Sequence, residues 1–533
     1  MKSKKILYST IVAVASAFAL SSCNDFLDTM PDNRTTLDTE DKIADLLTNA
    51  YPKGNTILVN ELMSDNTDYY GATNPNGDRF GDEVYFWNDV MQTSNDGPEN
   101  FWLHQYNSIA SANQALVDIA KLEQTHISSE TRAKLESDRA EALLIRAYGH
   151  FKLVTQFSKM YNPATADKDL GIPVSKKVET LTTKQERGNV ADVYKAIDED
   201  IQAALPIVTS NYKVPKYHFN RKAAYAFATR FYLYYQKWDK VISCANEVLG
   251  SDPSSVLRDW KAMSQLARGF EAYSQHYTSA ELSCNLLMTT KNTEAGILLG
   301  PYIYLKRYSH GRYLGNNEDF NAPNVWGAAS YYVRPFTGAG NNYDICQVWK
   351  LPYMFEYTDP VARTGLAHTV NVDFSTDETL LCRAEAYTIL KQYDKACDDL
   401  NAWLHNIMQT SVTLTPQLIK TFYNNVSYSY SDANKMASTV KKHLNPTFTI
   451  EAEGSDQETM LQCVLNCRRI ETMHQGLRWD DVNRYRIVIP RRTIGANGLP
   501  SKVTDWLTTD DPRRVVQIPY AIRQAGLEAN PRN

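Results

Sequence analysis

The sequence predicts a mainly α-helical protein, a scaffold of packed helical hairpins that carries long, irregular, aromatic-rich loop insertions. Three observations carry this expectation. From Thr376 to Leu404, Leu380, Ala384 and Tyr387 recur at helical spacing, a short polar break follows, and Ala396, Leu400 and Trp403 recur after it. Shifted back by 155 positions, the same pattern lies on Arg221 to Leu249, where Tyr232, Asp239, Lys240, Asn246 and Leu249 fall on Tyr387, Asp394, Lys395, Asn401 and Leu404. Third, two stretches, 65–98 and 301–357, are crowded with rings and have no steady period.

Lys2, Lys4 and Lys5 precede a weakly polar to apolar run from Ile6 to Leu20, followed by Ser21, Ser22 and Cys23. A positive head, a short apolar segment and small residues make a secretion signal over 1–22, too short for a comfortable membrane span. Small residues directly ahead of a cysteine resemble a bacterial lipobox, in which Cys23 is lipidated and becomes the new N-terminus. Each buried methylene of an acyl chain contributes roughly 0.8 kcal/mol, so two or three chains hold a protein on a membrane without a spanning helix. Residues 23–60 are expected to be a lipidated tether and a first short helix, and 61–533 a single domain with its helical scaffold at about 100–250 and 375–410.

Helical periodicity marks Phe101 to Leu122, Glu130 to Phe157, Val190 to Leu205 and Asn220 to Leu249, with Asn220 suited to cap its helix. Trp102, Tyr106 and Ile109 form a stripe best read as core-facing. Ser375 stands three residues before Glu378, the spacing of a capping box. Both hairpins resemble tetratricopeptide repeats: Pro253 stands where that motif ends, and Trp238, Val241, Ala245 and Val248 alternate large and small so that one hairpin can pack on the next. A lone hairpin can bury its stripe only against a neighbour, so whatever separates the copies is an insertion carried on the scaffold surface. The C-terminal region, about 411–533, is expected to be irregular.

Apart from Cys23, seven cysteines remain, an odd number, and Cys244, Cys382, Cys397, Cys463 and Cys467 sit inside helical patterns, so buried apolar roles are favoured over a disulfide framework. Cys463 and Cys467 are one helical turn apart, but no second pair of zinc ligands stands at useful spacing. With 22% charged residues and a net charge of -5 the chain has no basic excess to track phosphates, which argues against nucleic acid. Its 33 tyrosines suit an uncharged polar ligand with apolar faces.

Several stretches in order resemble the SusD/RagB family of outer-membrane lipoproteins of Bacteroidetes. They are Cys23 to Asp28 with Pro31 close behind, a short helix ending near Ala50 and Tyr51, and Ser64-Asp65 before an aromatic loop. Trp102, Tyr106, Ile109 and Asn113 on one helix, Ala142 to Phe151, and Gly171 to Val174 continue the likeness. Arg468 to Glu471 and Gly476 to Arg484 match the family's C-terminal signature. Cys467 and Gln475 stand where glutamates are common, so an ion pair expected there is missing. The resemblance implies a non-catalytic, surface-exposed lipoprotein that captures oligosaccharides or polysaccharides and passes them to a SusC-like TonB-dependent transporter.

The aromatic stretches are the candidate binding regions. In 65–98, Tyr69, Tyr70, Phe80, Tyr85, Phe86 and Trp87 are interleaved with Gly, Asn and Asp; in 301–357 about one position in four is aromatic, against 11% overall. Long irregular loops in compact proteins are usually functional. A pyranose stacks its C–H face on a flat ring while its hydroxyls find Asn, Asp and Arg. The expected ligand-binding residues are Tyr70, Arg79 and Trp87 from the first stretch and Trp326, Tyr331 and Tyr343 from the second, with the competing reading that most of these rings fill a second core.

No metalloprotease, nucleophile-elbow, phosphate-loop or dinucleotide motif is present, and nothing singles out a carboxylate pair for glycoside hydrolysis. The acids Asp65, Asp68, Asp78, Asp82 and Glu83 do not follow calcium-loop spacing, so solvated carboxylates are favoured over calcium and no cofactor is expected. Peptide capture of the RagB type and a structural role in outer-membrane assembly are the alternative readings.

Overall fold

The computed structural model describes residues 37–178, 186–303, 306–338, 344–432 and 434–532. The expected signal segment, Cys23 and the tether to residue 36 lie outside the described residues. The first described helix, Glu40–Thr48, packs on Pro98–Leu122 and Ser129–Phe157, which form an antiparallel pair, and the latter packs in turn on Val190–Ala204.

The two repeats predicted from the sequence are neighbours in space. Arg221–Tyr234 pairs with Trp238–Leu249, Thr376–Ile389 pairs with Tyr393–Ile407, and Trp238–Leu249 lies directly on Thr376–Ile389. Their turns agree in detail: Gln236 and Lys391 have φ of 61° and 59°, and the next amide, of Lys237 or Gln392, donates to Tyr232 O or Tyr387 O at 2.9 and 2.8 Å. A left-handed residue followed by this six-to-one bond is how a helix ends when its last carbonyls need donors. Ser375 and Asn220 cap as predicted, accepting from Glu378 N at 3.2 Å and Ala223 N at 3.1 Å. The Glu378 carboxylate pairs instead with the buried Arg230, Nε to Oε1 at 3.1 Å, because the neighbouring hairpin places a cation there.

The chain between the repeats leaves and returns at one place. Thr376 N donates to Cys284 O at 3.0 Å, its hydroxyl donates to Val256 O at 2.9 Å, and Arg258 N bonds the Asp377 carboxylate at 3.3 Å. Strands β1 (Asp68–Tyr69), β2 (Asn285–Asn292), β3 (Tyr308–Ser309), β4 (Phe336–Gly338), β5 (Ile345–Gln347), β6 (Met354–Asp359), β7 (Thr364–Ser375), β8 (Ile489–Ile494) and β9 (Pro500–Leu507) form three small sheets, ordered β3-β1-β8-β9, β2-β7-β6 and β4-β5.

Three stretches are more regular than their sequences suggested. Residues 65–98 contain β1 and the helix Arg79–Tyr85, residues 301–357 contain β3 to β6 and the helix Arg312–Asn317, and residues 411–533 contain Pro416–Asn425, Asp456–Glu471, Arg478–Arg484 and the β8–β9 hairpin. The short strands have partners remote in sequence: Tyr69 faces Tyr308 antiparallel and Thr493 parallel.

A buried ion network welds these parts together. Glu318, fully buried, receives Lys442 Nζ at 2.7 Å, Arg469 Nη1 at 2.8 Å and Arg492 Nη2 at 3.0 Å. Arg478 and Arg492 pair with Asp65 and Asp68 at 2.7 and 3.0 Å, while Arg468 and Arg484 share Asp481 at 3.0 and 3.1 Å. Burial opposes ionisation of Glu318, but the cations of Lys442, Arg469 and Arg492 hold its carboxyl well below the usual range. All seven cysteines after Cys23 are buried and unbridged. At the second departure from the family pattern, Gln475 donates its amide to the Tyr277 hydroxyl at 3.0 Å.

Removing Glu318 leaves the buried Lys442 without its carboxylate and takes one carboxylate from each of Arg469 and Arg492, which keep Asp65 and Asp68, so Glu318→Ala should cost about 3–5 kcal/mol in chemical denaturation. Asp138 tests pH dependence. Burial, then the charges of Glu40 and Glu141, push its carboxyl up to about 8, and its Oδ2 has no partner. Between pH 4 and 8 the folded chain keeps a proton that the unfolded chain has released, so stability falls as pH rises, by at most ~1.4 kcal/mol per unit. Thermal melts should show Asp138→Asn matching the wild type near pH 4.5 and exceeding it at pH 8.

Candidate functional site

The two aromatic stretches meet. The β1–β3 pairing joins them, and Tyr70 N donates to Arg307 O at 2.8 Å. Tyr69, Tyr85, Phe86 and Tyr308 form a ring cluster with centroids 4.7 to 5.9 Å apart. Tyr308 OH donates to Asp82, which also receives Arg307 at 2.7 Å.

A groove of about 700 Å³ opens beside this junction, lined by Asp78, Arg79 and Phe80, by Gln92 to Asn95, by Glu99, Asn100 and Leu103, and by Glu294. Each wall has a local cause. Asp78 caps the helix Arg79–Tyr85 by accepting from Gly81 N at 2.7 Å, which sets Arg79 on the rim. Glu83 accepts from Arg79 Nε at 2.7 Å and from the amides of Met91 and Gln92 at 2.7 and 2.9 Å, so one carboxylate holds both rim and loop. Gly97 and Pro98 start the next helix, whose Asn100 donates to Asn95 O at 2.7 Å. Beneath the loop, buried Asp96 accepts from Glu294 N at 2.9 Å, and burial pushes its carboxyl up to about 6. Partial enclosure and the nearby Asp78 charge raise the Glu294 carboxyl as well.

Eight residues beyond Glu294, Tyr302 begins a second cluster. Its ring meets Phe270 at 5.1 Å and Tyr353 at 5.6 Å, Phe270 meets Trp349 at 5.6 Å, and Trp349 stacks on Phe336 at 3.6 Å and 14°. The Arg268 guanidinium lies 4.1 Å from the Phe336 centroid and donates to Arg334 O and Pro335 O, both at 3.1 Å. Tyr302 is 45% exposed, edge-to-face with a buried Phe270. A polar groove of amides, hydroxyls and carboxylates can bind a polyhydroxy ligand.

The expected site residues divide. Arg79 lies on the groove rim. Tyr70 is half-buried and donates to Asp344 Oδ2 at 3.0 Å, while Asp344 Oδ1 accepts from Arg312 Nε at 2.9 Å. A Cβ on Gly311 would fall 1.8 Å from the Tyr70 hydroxyl, so this tyrosine is wedged between the two stretches as a tie. Trp87, Trp326 and Tyr331 are at most 4% exposed and present no face to a ligand. Trp87 donates to Met63 O at 2.9 Å beneath Arg491, whose guanidinium lies 3.7 Å from the ring and bonds the carbonyls of Leu62, Met63 and Ser64. Arginine and tryptophan thus cap the helix Ile57–Met63. Trp326 packs 6.1 Å from Trp403, and the Tyr331 backbone forms a β-bridge with Met408, so this segment of the inserted chain is pinned to the scaffold. Tyr343 lies outside the described residues. The acids read as solvated also differ: Asp65 and Asp68 are buried in ion pairs and the five go to separate partners, with no metal-holding group of three among the described residues.

Gln92, Asn95, Glu99, Asn100, Glu294, Tyr302, Trp349 and Tyr353 were not anticipated. No local signal separates them from other polar or aromatic loop residues; they are brought together by helix starts and remote strand pairs. Trp326→Ala should lower stability by about 3–5 kcal/mol, the cost of emptying a buried indole site, and any loss of ligand retention should track the unfolded fraction on denaturant titration.

Residues 25–233 match a sequence family described as "Starch-binding associating with outer membrane". The fold as a whole is similar to that of a SusD superfamily protein from Bacteroides vulgatus ATCC 8482, with TM-score 0.64 and 19% identity over 93% of this chain and 99% of that one. A putative sugar binding protein from the same organism gives 0.60 and 18% over 93% and 99%, and a laminarin binding SusD-like protein 0.53 and 14% over 92% and 97%. At these identities the likeness is one of fold. No curated protein sequence matches the chain.

Proposed function

The chain has the SusD-superfamily fold, and from that premise we propose that it is a cell-surface glycan-binding lipoprotein without catalytic activity. The lipid anchor would sit on Cys23 in the outer membrane, and captured saccharide would pass to a SusC-like TonB-dependent transporter. The observation that carries this reading is the groove itself, lined by amide, hydroxyl and carboxylate side chains; the exposed Tyr302 ring stands eight residues along the chain from its lining residue Glu294. The names of similar structures, a sugar binding protein and a laminarin binding protein, support the same ligand class.

Charge narrows that class. The groove holds Asp78, Glu99 and Glu294 against Arg79, whose charge is already matched by Glu83. Uronate or sulfated chains would meet carboxylates without a free cation, so neutral glycans are the fitting ligands. Contact on one face gains about 25 cal/mol per Å² of apolar area, which places affinity on the order of micromolar to millimolar. Weak capture suits a protein that hands its ligand on.

Arg79 and Tyr302 are exposed, and the Arg79 pair with Glu83 contributes little stability. Calorimetric titration against starch, pullulan, laminarin, xylan, galactan and polygalacturonate should show binding to at least one neutral glycan and none to polygalacturonate. Arg79→Ala and Tyr302→Ala should each weaken binding about tenfold, worth ~1.4 kcal/mol, with an unchanged melting temperature. Binding of polygalacturonate alone, or unchanged affinity in both variants, would remove the groove from the function.

A further inference from the structure

A second cavity, of about 600 Å³, shares no lining residue with the groove. One wall is the segment that follows the helix Ser129–Phe157, from Ser158 to Leu170; the other is formed by Asn483 and Arg486, by residues 509–515 and by Asn530 and Pro531. Both walls are held in place. Thr165 and Lys159 converge on Asp169 at 2.6 and 2.8 Å, and Asn162 Oδ1 accepts from Ala164 N at 3.0 Å. Opposite them, Arg514 donates to Thr508 O and Ile487 O, both at 2.7 Å, and the Asn530 amide ties the walls together by donating to Phe157 O at 3.1 Å.

The charges around this cavity do not balance. Its carboxylates are all matched: Asp169 by Lys159 at 2.8 Å, Asp510 by Arg486 at 2.8 Å and Asp511 by Arg513 at 2.7 Å. Two lining cations are left over. Lys168 is exposed and makes no ion pair among the described residues. Arg514 is buried, and its guanidinium donates only to backbone carbonyls and to Asn483 Oδ1. Burial lowers its pKa to about 10, and the charge of Asp511 offsets only part of that. Ser158 adds an open hydrogen bond, since it lines the cavity, is 4% exposed and has no partner for its Oγ. A buried hydroxyl without a partner is costly, so a group that accepts from it is favoured there. Met160, Leu170, Pro512, Val515 and Pro531 supply apolar surface.

A cavity of this size, with apolar walls and a few fixed polar groups, has the form of a small-molecule site. We propose that it binds a small organic anion, a carboxylate, sulfate or phosphate group on an apolar body. Lys168 and Arg514 meet the charge, Ser158 Oγ donates to one of the anion's oxygens, and Met160, Leu170 and Val515 cover the body. The site does not rest on the reading of the groove: there the carboxylates leave no free cation, here the cations leave no free carboxylate.

The test titrates the mature chain calorimetrically with 4-phenylbutyrate, octanoate and octyl sulfate, and with the uncharged 4-phenylbutanol and the cationic 4-phenylbutylamine. At least one anion should bind with a Kd on the order of 0.1 to 1 mM, and 4-phenylbutyrate about tenfold or more tighter than the alcohol or the amine. Lys168→Ala removes an exposed side chain and should leave the melting temperature unchanged while weakening the bound anion about fivefold; Ser158→Ala should weaken it about threefold. Arg79→Ala, in the groove, should leave anion binding as in the wild type. An alcohol that binds as tightly as its acid, equal anion affinity in Lys168→Ala and wild type, or loss of anion binding in Arg79→Ala each overturns the proposal. So does the absence of binding heat from every anion at about 10 mM.

Discussion

The structure depends on charge buried where charge is costly. Glu318, Asp65, Asp68, Asp481 and Glu378 are withdrawn from water with the arginines and lysine that match them, and the pairs of Glu318, Asp65, Asp68 and Glu378 join segments from 124 to 424 residues apart. Such pairs add modest net stability, since desolvation offsets much of their attraction, but a misassembled chain would leave them unmatched at several kcal/mol each. The network acts as a register. It sets the segment 61–69 against the helices 456–484, and from that segment the first aromatic stretch departs toward the groove.

Much of the scaffold could be read in advance because its signals are local. The offset of 155 residues predicted two equivalent hairpins, and the equivalent left-handed turns at Gln236 and Lys391 show how close that equivalence is. Ser375 and Asn220 announced their helices because a cap is a relation between residues three apart. The sheets were silent for the opposite reason: β1 has two residues, and its partners lie about 240 and 420 positions away. The C-terminal signature was visible as a string of charges, yet nothing in the string says that they are buried.

Of the residues expected to bind ligand, Arg79 falls on the groove rim, whereas Trp87, Trp326 and Tyr331 are buried. Trp87, Trp326 and Tyr331 have the same neighbours in sequence, glycine, asparagine and small residues, as rings that do reach solvent. What decides between them is whether a remote element arrives to cover the face: Arg491 for Trp87, and the helix Tyr393–Ile407 for Trp326. Tyr302 meets Phe270 and Tyr353 and still keeps 45% of its surface open.

The stitched stem of the inserted chain has a consequence for diversification. Because residues 256–284 and 375–377 are clasped together beside two stacked hairpins, nearly everything between Asn285 and Phe374 hangs from a closed base. Closing a longer or shorter loop on such a base changes the entropy only with the logarithm of its length. Descendants of this chain could exchange that whole cassette for another and meet a different nutrient, while the frame beneath continued to assemble unchanged.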